Sequence, residues 1–287
     1  VLFFTFVLAT ASCKEKQGGG YGPRNFNSEL QLLVGVALRR DGEVIIGQSW
    51  RTPSNRPLSI PKCAWWYVAP RQPAEKVDWT ALTDEIRRKD IPALIMPQKT
   101  KTKHVANLTG LNDLQVLDLG STKITDKALF YIKELKGLRI LNLSDTDVSA
   151  KGLTYLKKIP SLEKLSLRST EVDDTGLAVL GKMKSLHVLG LADTKITNTG
   201  VNHLSALTNL RELRLTKTDI SDEGMRHLSE MTALRKLNLE YTKISEQGLD
   251  HIARLEHLRH LNVKNTNVSV NEVKDALPRI ECLEIEH

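Results

Sequence analysis

The sequence predicts an α/β solenoid in which a parallel β-sheet lines one wall and short helices line the other. Three observations carry that expectation: a period of 24 residues repeated seven times, apolar residues alternating with period two inside each repeat, and a helix-capping residue at one fixed place in all seven. No single repeat can bury its own apolar face, so stability requires neighbours to stack into a continuous core.

The frames begin at Leu114, Leu138, Leu162, Leu186, Leu210, Leu234 and Leu258. Each reads Leu, two variable residues, Leu, one variable, Leu or Val, two variable, Thr, one variable, Ile or Val. Position 1 is apolar, and positions 4 and 6 alternate inward as in a strand with one buried face. After each β-branched position stands Thr125, Ser149, Asp173, Thr197, Ser221, Ser245 or Ser269. All are types whose side chain accepts from an amide one turn into a helix, so a helix starts there in every repeat. Acids follow at Asp126, Asp174, Asp222 and Glu246, where the helix dipole favours them. Gly152, Gly176, Gly200, Gly224 and Gly248 sit inside the first turn. Glycine costs a helix interior about 1 kcal/mol relative to alanine, so its recurrence implies close approach between neighbouring repeats. Leu153, Leu156, Ile159 and Leu162 show the apolar stripe that turns each helix towards the core.

Ahead of the repeats, residues 78–96 predict a helix with apolar Trp79, Leu82 and Ile86 on one side, then a strand-like run from Ile91 to Met96. Together they are expected to cap the first core layer. Residues 28–77 read as a β-hairpin around Asp41-Gly42 followed by a Pro-rich and aromatic stretch containing Trp65-Trp66-Tyr67, which is expected to pack over the open end of the core. Residues 14–27 are Gly-rich and predict a flexible tether. Residues 1–13, VLFFTFVLATASC, have the layout of a secretory signal and are too short for a membrane span. Small residues directly before Cys13 make it the expected lipidation site, with cleavage after Ala11 as the other route. Cys63 and Cys282 lie at opposite ends of the stack, too far apart to bridge, and are expected to be free thiols.

The formal charge of +7 does not predict a nucleic-acid partner, because from Ile91 onward 28 Lys and Arg face 25 Asp and Glu and the repeats hold few aromatics. No Ser-His-Asp arrangement, phosphate-cradling loop or zinc spacing is present, so no cofactor and no catalytic residue are expected. His203, His227 and His251 recur at the repeat spacing and predict a half-exposed column on the helix wall.

The turn Thr194-Lys195-Ile196-Thr197-Asn198-Thr199-Gly200-Val201 resembles those of leucine-rich repeats. Over roughly residues 78 to 287 the chain is similar to the cysteine-containing, F-box-associated subfamily, with Thr replacing Asn or Cys, and especially to bacterial arrays from planctomycetes and myxobacteria. The resemblance implies a right-handed horseshoe with a concave parallel sheet, convex helices and a protein-recognition role without chemistry. The Thr hydroxyls are expected to donate to a carbonyl and accept from an amide, forming a ladder that ties repeats together.

Positions 3, 5 and 7 of each strand should then face a partner. The expected contact residues are Lys164, Arg168, Glu212, Arg214, Lys236, Asn238, Tyr241, His260, Asn262 and Lys264. The function expected is a non-enzymatic, monomeric scaffold of the cell envelope, exported and anchored through Cys13, that binds a protein or surface polymer. The other reading is the substrate-recognition part of an F-box-like ubiquitin-ligase adaptor, which requires a helical F-box before the repeats. Residues 28–77 instead read as strands and Pro-rich loop, and their lack of histidine also speaks against a catalytic unit there.

Overall fold

The computed structural model describes residues 24–26, 28–40, 43–53, 58–60 and 65–284. Cys13 and the signal, most of the tether, the Asp41-Gly42 turn and Cys63 lie outside the described residues. The chain divides into two compact units between Asn142 and Leu143.

The first unit holds β1 (Arg24–Phe26), β2 (Leu32–Arg40), β3 (Glu43–Arg51), β4 (Leu58–Ile60), β5 (Trp65–Pro70), β6 (Ala93–Ile95), β7 (Val116–Asp118) and β8 (Ile140–Asn142). Strands β2 and β3 form the expected hairpin, pairing antiparallel down to Arg40 opposite Glu43. Strand β2 pairs antiparallel with β5, β5 runs parallel to β6, and β6, β7 and β8 continue in parallel. The helix predicted at residues 78–89 is present as Trp79–Arg88, with the Asp78 carboxylate accepting from Ala81 N at 3.0 Å.

Two features of this unit differ from the sequence expectation. Strand β6 was expected at the edge of the stack, but β5 pairs along its other side, so the aromatic stretch meets the open end by extending the sheet. Residues 24–26, at the end of the expected tether, pair antiparallel with β4. Burial supplies the reason. Trp66 and Tyr67 on β5 are buried, as expected of packing residues, and the Phe26 ring meets Trp66 edge-on at 5.4 Å. Ser28 Oγ donates to Glu85 Oε2 at 2.6 Å and Lys89 Nζ lies 4.5 Å from the centre of the Phe26 ring, joining this stretch to the Trp79–Arg88 helix.

The second unit repeats one motif. Strands β9 (Lys164–Ser166), β10 (Val188–Gly190), β11 (Glu212–Arg214), β12 (Lys236–Asn238), β13 (His260–Asn262) and β14 (Cys282–Glu284) are parallel and in register. Helices Ala150–Leu156, Asp174–Leu180, Asn198–Leu204, Asp222–Leu228, Glu246–Ile252 and Val270–Ala276 alternate with them. Leucines at positions 1, 4 and 6 are buried, for example Leu210, Leu213 and Leu215 at 0 % exposure. Each such side chain contributes about 2 kcal/mol by leaving water.

What ties repeat to repeat is a carboxylate or amide at the first helical residue. Asp174 Oδ1 accepts from Thr197 N at 2.8 Å and its Oδ2 from Thr197 Oγ1 at 2.7 Å. Asp222 does the same to Ser245 at 2.8 and 2.6 Å, and Asn198 to Ser221 N at 2.9 Å while donating to Ser221 Oγ at 2.8 Å. The recurrent glycines make room for these groups: a methyl at Gly200 would strike Asp174 Oδ1, and one at Gly248 would strike Asp222 Oδ1.

The expected capping and threonine roles change accordingly. All seven capping positions are confirmed, and Ser149, Asp173, Thr197 and Ser269 accept from their own helix. Thr125, Ser221 and Ser245 make no such bond. The hydroxyls of Ser221 and Ser245 are instead engaged by the preceding repeat. The threonine hydroxyls donate within their own repeat, as Thr170 to Leu167 O at 2.6 Å and Thr218 to Leu215 O at 2.5 Å. They close the turn that ends each strand, and the inter-repeat tie falls to the aspartates and Asn198.

Candidate functional site

With leucines filling the inner face, positions 3, 5 and 7 of β9 to β14 lie on the helix-free side of the second unit. Not all of them are free to meet a partner. Lys164, Glu212 and Asn262 are 4 %, 6 % and 8 % exposed, because strands about 4.8 Å apart crowd the side chains between them. Asn238 Oδ1 accepts from Glu240 N at 3.0 Å and from Thr216 Oγ1 at 2.9 Å. Asn262 Oδ1 accepts from Lys264 N at 3.0 Å and its amide donates to Glu284 Oε2 at 2.8 Å. These groups serve the backbone where the strand ends. Glu212 Oε1 accepts from Arg214 Nε at 2.7 Å, so that ion pair holds the Arg214 head in place on the sheet.

The more accessible members of the predicted set are Arg168, Lys236 and Tyr241, which are exposed, and Arg214, His260 and Lys264, which are half-buried. Tyr241 stands apart. The residue before each repeat threonine adopts a left-handed backbone, at φ of 55° in Asp145, 52° in Ser169, 54° in Asp193, Lys217 and Asn265, and 55° in Tyr241. Asp and Asn tolerate that region through local hydrogen bonds, whereas a bulky side chain is held there at a cost of about 1 to 2 kcal/mol. Tyr241 is nevertheless 50 % exposed, with Lys217 Nζ 5.3 Å from its ring centre. Sequence reading placed Tyr241 in the contact set but missed its backbone. The signal was present in Asp145, Asp193 and Asn265 at the same frame position.

In the first unit the same strand face carries a buried polar group. Asp118 Oδ1 accepts from Gly120 N and from Asn142 Nδ2, both at 2.8 Å. Burial pushes its carboxyl up to about 6, against the lowering effect of those two bonds.

On the helix wall, His203 is exposed while His227 and His251 are half-buried, and among the described residues no group of His, Cys, Asp or Glu is arranged to hold a metal ion. Cys282 is a free, exposed thiol on β14, as expected. Among the described residues no helix is long and apolar enough to cross a membrane.

Residues 110–133, 138–157, 158–181 and 206–229 match the family described as Leucine Rich repeat. Among solved structures, an internalin C2 from Listeria monocytogenes is similar at 25% identity and a TM-score of 0.56, over 73% of this chain and 84% of that one. The fold is a leucine-rich repeat solenoid. An internalin from the same organism, inlF, is matched at 16% identity and a TM-score of 0.40, over 72% of this chain and 77% of its own. No curated protein is matched.

Proposed function

We propose that this leucine-rich repeat chain is a non-enzymatic scaffold that is exported, anchored to a membrane through Cys13, and binds a protein partner through the helix-free face of its carboxy-terminal repeats. Leucine-rich repeat proteins act in protein–protein interaction. The observation that carries the assignment of the face is Tyr241, an aromatic kept half in solvent on a backbone that opposes it. Aromatic and arginine side chains dominate binding energy where they become fully desolvated. Arg214, braced by Glu212, stands opposite Asn238, three residues before Tyr241, and Lys236, His260 and Lys264 supply a polar surround. Export and anchoring are supported by the apolar run ending in small residues and Cys13.

The test is Tyr241→Ala, which leaves the Arg214–Glu212 pair intact. The variant is expected to keep the melting temperature of the parent and to lose capture of partner proteins from the source cell envelope by tenfold or more, about 1.4 kcal/mol. Unchanged capture with unchanged melting overturns the assignment of this face.

A further inference from the structure

The helix-to-strand rim of the second unit carries a row of arginines that lies outside the strand positions considered so far. Arg211, Arg235 and Arg259 each stand immediately before the first residue of β11, β12 and β13. Main-chain bonds hold them as successive rungs: Arg235 N donates to Arg211 O at 2.8 Å, and Arg259 N to Arg235 O at 3.0 Å. Their α-carbons are therefore about 4.8 Å apart, a spacing at which like charges repel. Arg211 and Arg235 are exposed, and neither makes an ion pair among the described residues. Lys236, exposed beside Arg235, is likewise without an ion pair among the described residues, while Arg259 is 3.3 Å from Glu281. Of the neighbouring acids, Glu212 is engaged by Arg214 and Glu281 by Arg259.

We propose that Arg211 and Arg235, with Arg259 at the end of the row, dock an acidic segment of a polypeptide partner. The proposal rests on the reading of the chain as a protein-binding scaffold and adds the chemistry of what it binds. Guanidinium forks pair with carboxylate oxygens two at a time. Carboxylates on one side of an extended peptide recur about 6.6 to 6.8 Å apart, within reach of long side chains rooted on adjacent rungs. A single-stranded nucleic acid is less well suited, because base stacking needs aromatic platforms along the groove. The loops leading into these strands, residues 205–211, 229–235 and 253–259, contain no Phe, Tyr or Trp.

The experiment titrates the full chain into a labelled Glu-Ser repeat peptide, the same peptide with Gln for Glu, and an oligothymidylate of equal charge, and follows anisotropy at low and physiological salt. The Glu peptide is expected to bind, the Gln peptide not, and Arg211→Ala with Arg235→Ala to weaken binding about tenfold. Removing two exposed cations from the helix wall, Lys182→Ala with Arg226→Ala, should leave the affinity within about twofold of the parent. Equal binding of the Gln peptide, tighter binding of the oligothymidylate, or equal losses in the two double variants overturns the proposal. Tyr241→Ala separates the two readings. If it abolishes partner capture while the parent chain fails to bind the Glu peptide, the arginine row is refuted and the strand-face assignment stands.

Discussion

Asp118→Asn is expected to stabilise the protein by about 2 kcal/mol at neutral pH. The carboxyl is pushed up by burial from 3.8 to about 6, so the folded chain holds the Asp118 proton more tightly than the unfolded chain does. That preference is fully present below about pH 4 and is lost as pH rises through about 6, leaving a buried carboxylate that opposes folding by about 3 kcal/mol. Asparagine keeps the oxygen that accepts from Gly120 N and Asn142 Nδ2 and removes the charge. Its new amide hydrogens lower the gain by about 1 kcal/mol if they find no acceptor. Chemical denaturation of both proteins across this range checks the sign. The advantage of the variant should grow between about pH 4 and 6 and level off above about 7. A difference that does not change with pH would show that the Asp118 carboxyl is solvated.

Asp222→Ala is expected to destabilise by about 3 kcal/mol, with Asp222→Asn far milder. The carboxylate satisfies two groups of the next repeat, Ser245 N and Ser245 Oγ. Bonds to a charged acceptor are each worth about 1.5 to 3 kcal/mol, and alanine leaves the Ser245 amide at a helix start without its partner. Asparagine already performs this task at Asn198, where its Oδ1 accepts from Ser221 N and its Nδ2 donates to Ser221 Oγ. Because stability in a stacked array is a sum of repeat and interface contributions, the loss should appear as faster hydrogen exchange around Ser245 before global unfolding. Equal destabilisation by Ala and Asn would mean that the charge, and not the bridge between repeats, carries the effect.

The repeats were legible because their physics is local and periodic. Leu210, Leu213 and Leu215 announce a strand with one buried side, and Ser221 announces a helix start, whatever surrounds them. The tie between repeats was hidden by distance: Asp174 and Thr197 are 23 positions apart. Only the company of Asp174 with Gly176 and of Asn198 with Gly200 hinted that one group passes over the glycine of the next repeat. The joining of β5 to β6 was hidden for a similar reason, since parallel pairing leaves no turn in the sequence to mark it. For the contact face, alternation identified the outward positions but not their accessibility. Glu212 and Asn262 satisfy neighbouring groups, and that became visible only once the strands stood side by side.

The left-handed backbone at Tyr241 belongs to the repeat, since Ser169 and Lys217 share it, and the scaffold reading predicts that the tyrosine side chain is kept there for the sake of binding. Tyr241→Asn measures this directly, since asparagine accepts the φ of 55° with less strain and carries no ring. Melting temperature and partner capture, determined on the same preparation, should move in opposite directions: stability rising by up to about 1 kcal/mol and capture falling. A variant that melts lower than the parent, or that captures its partner undiminished, would contradict the account.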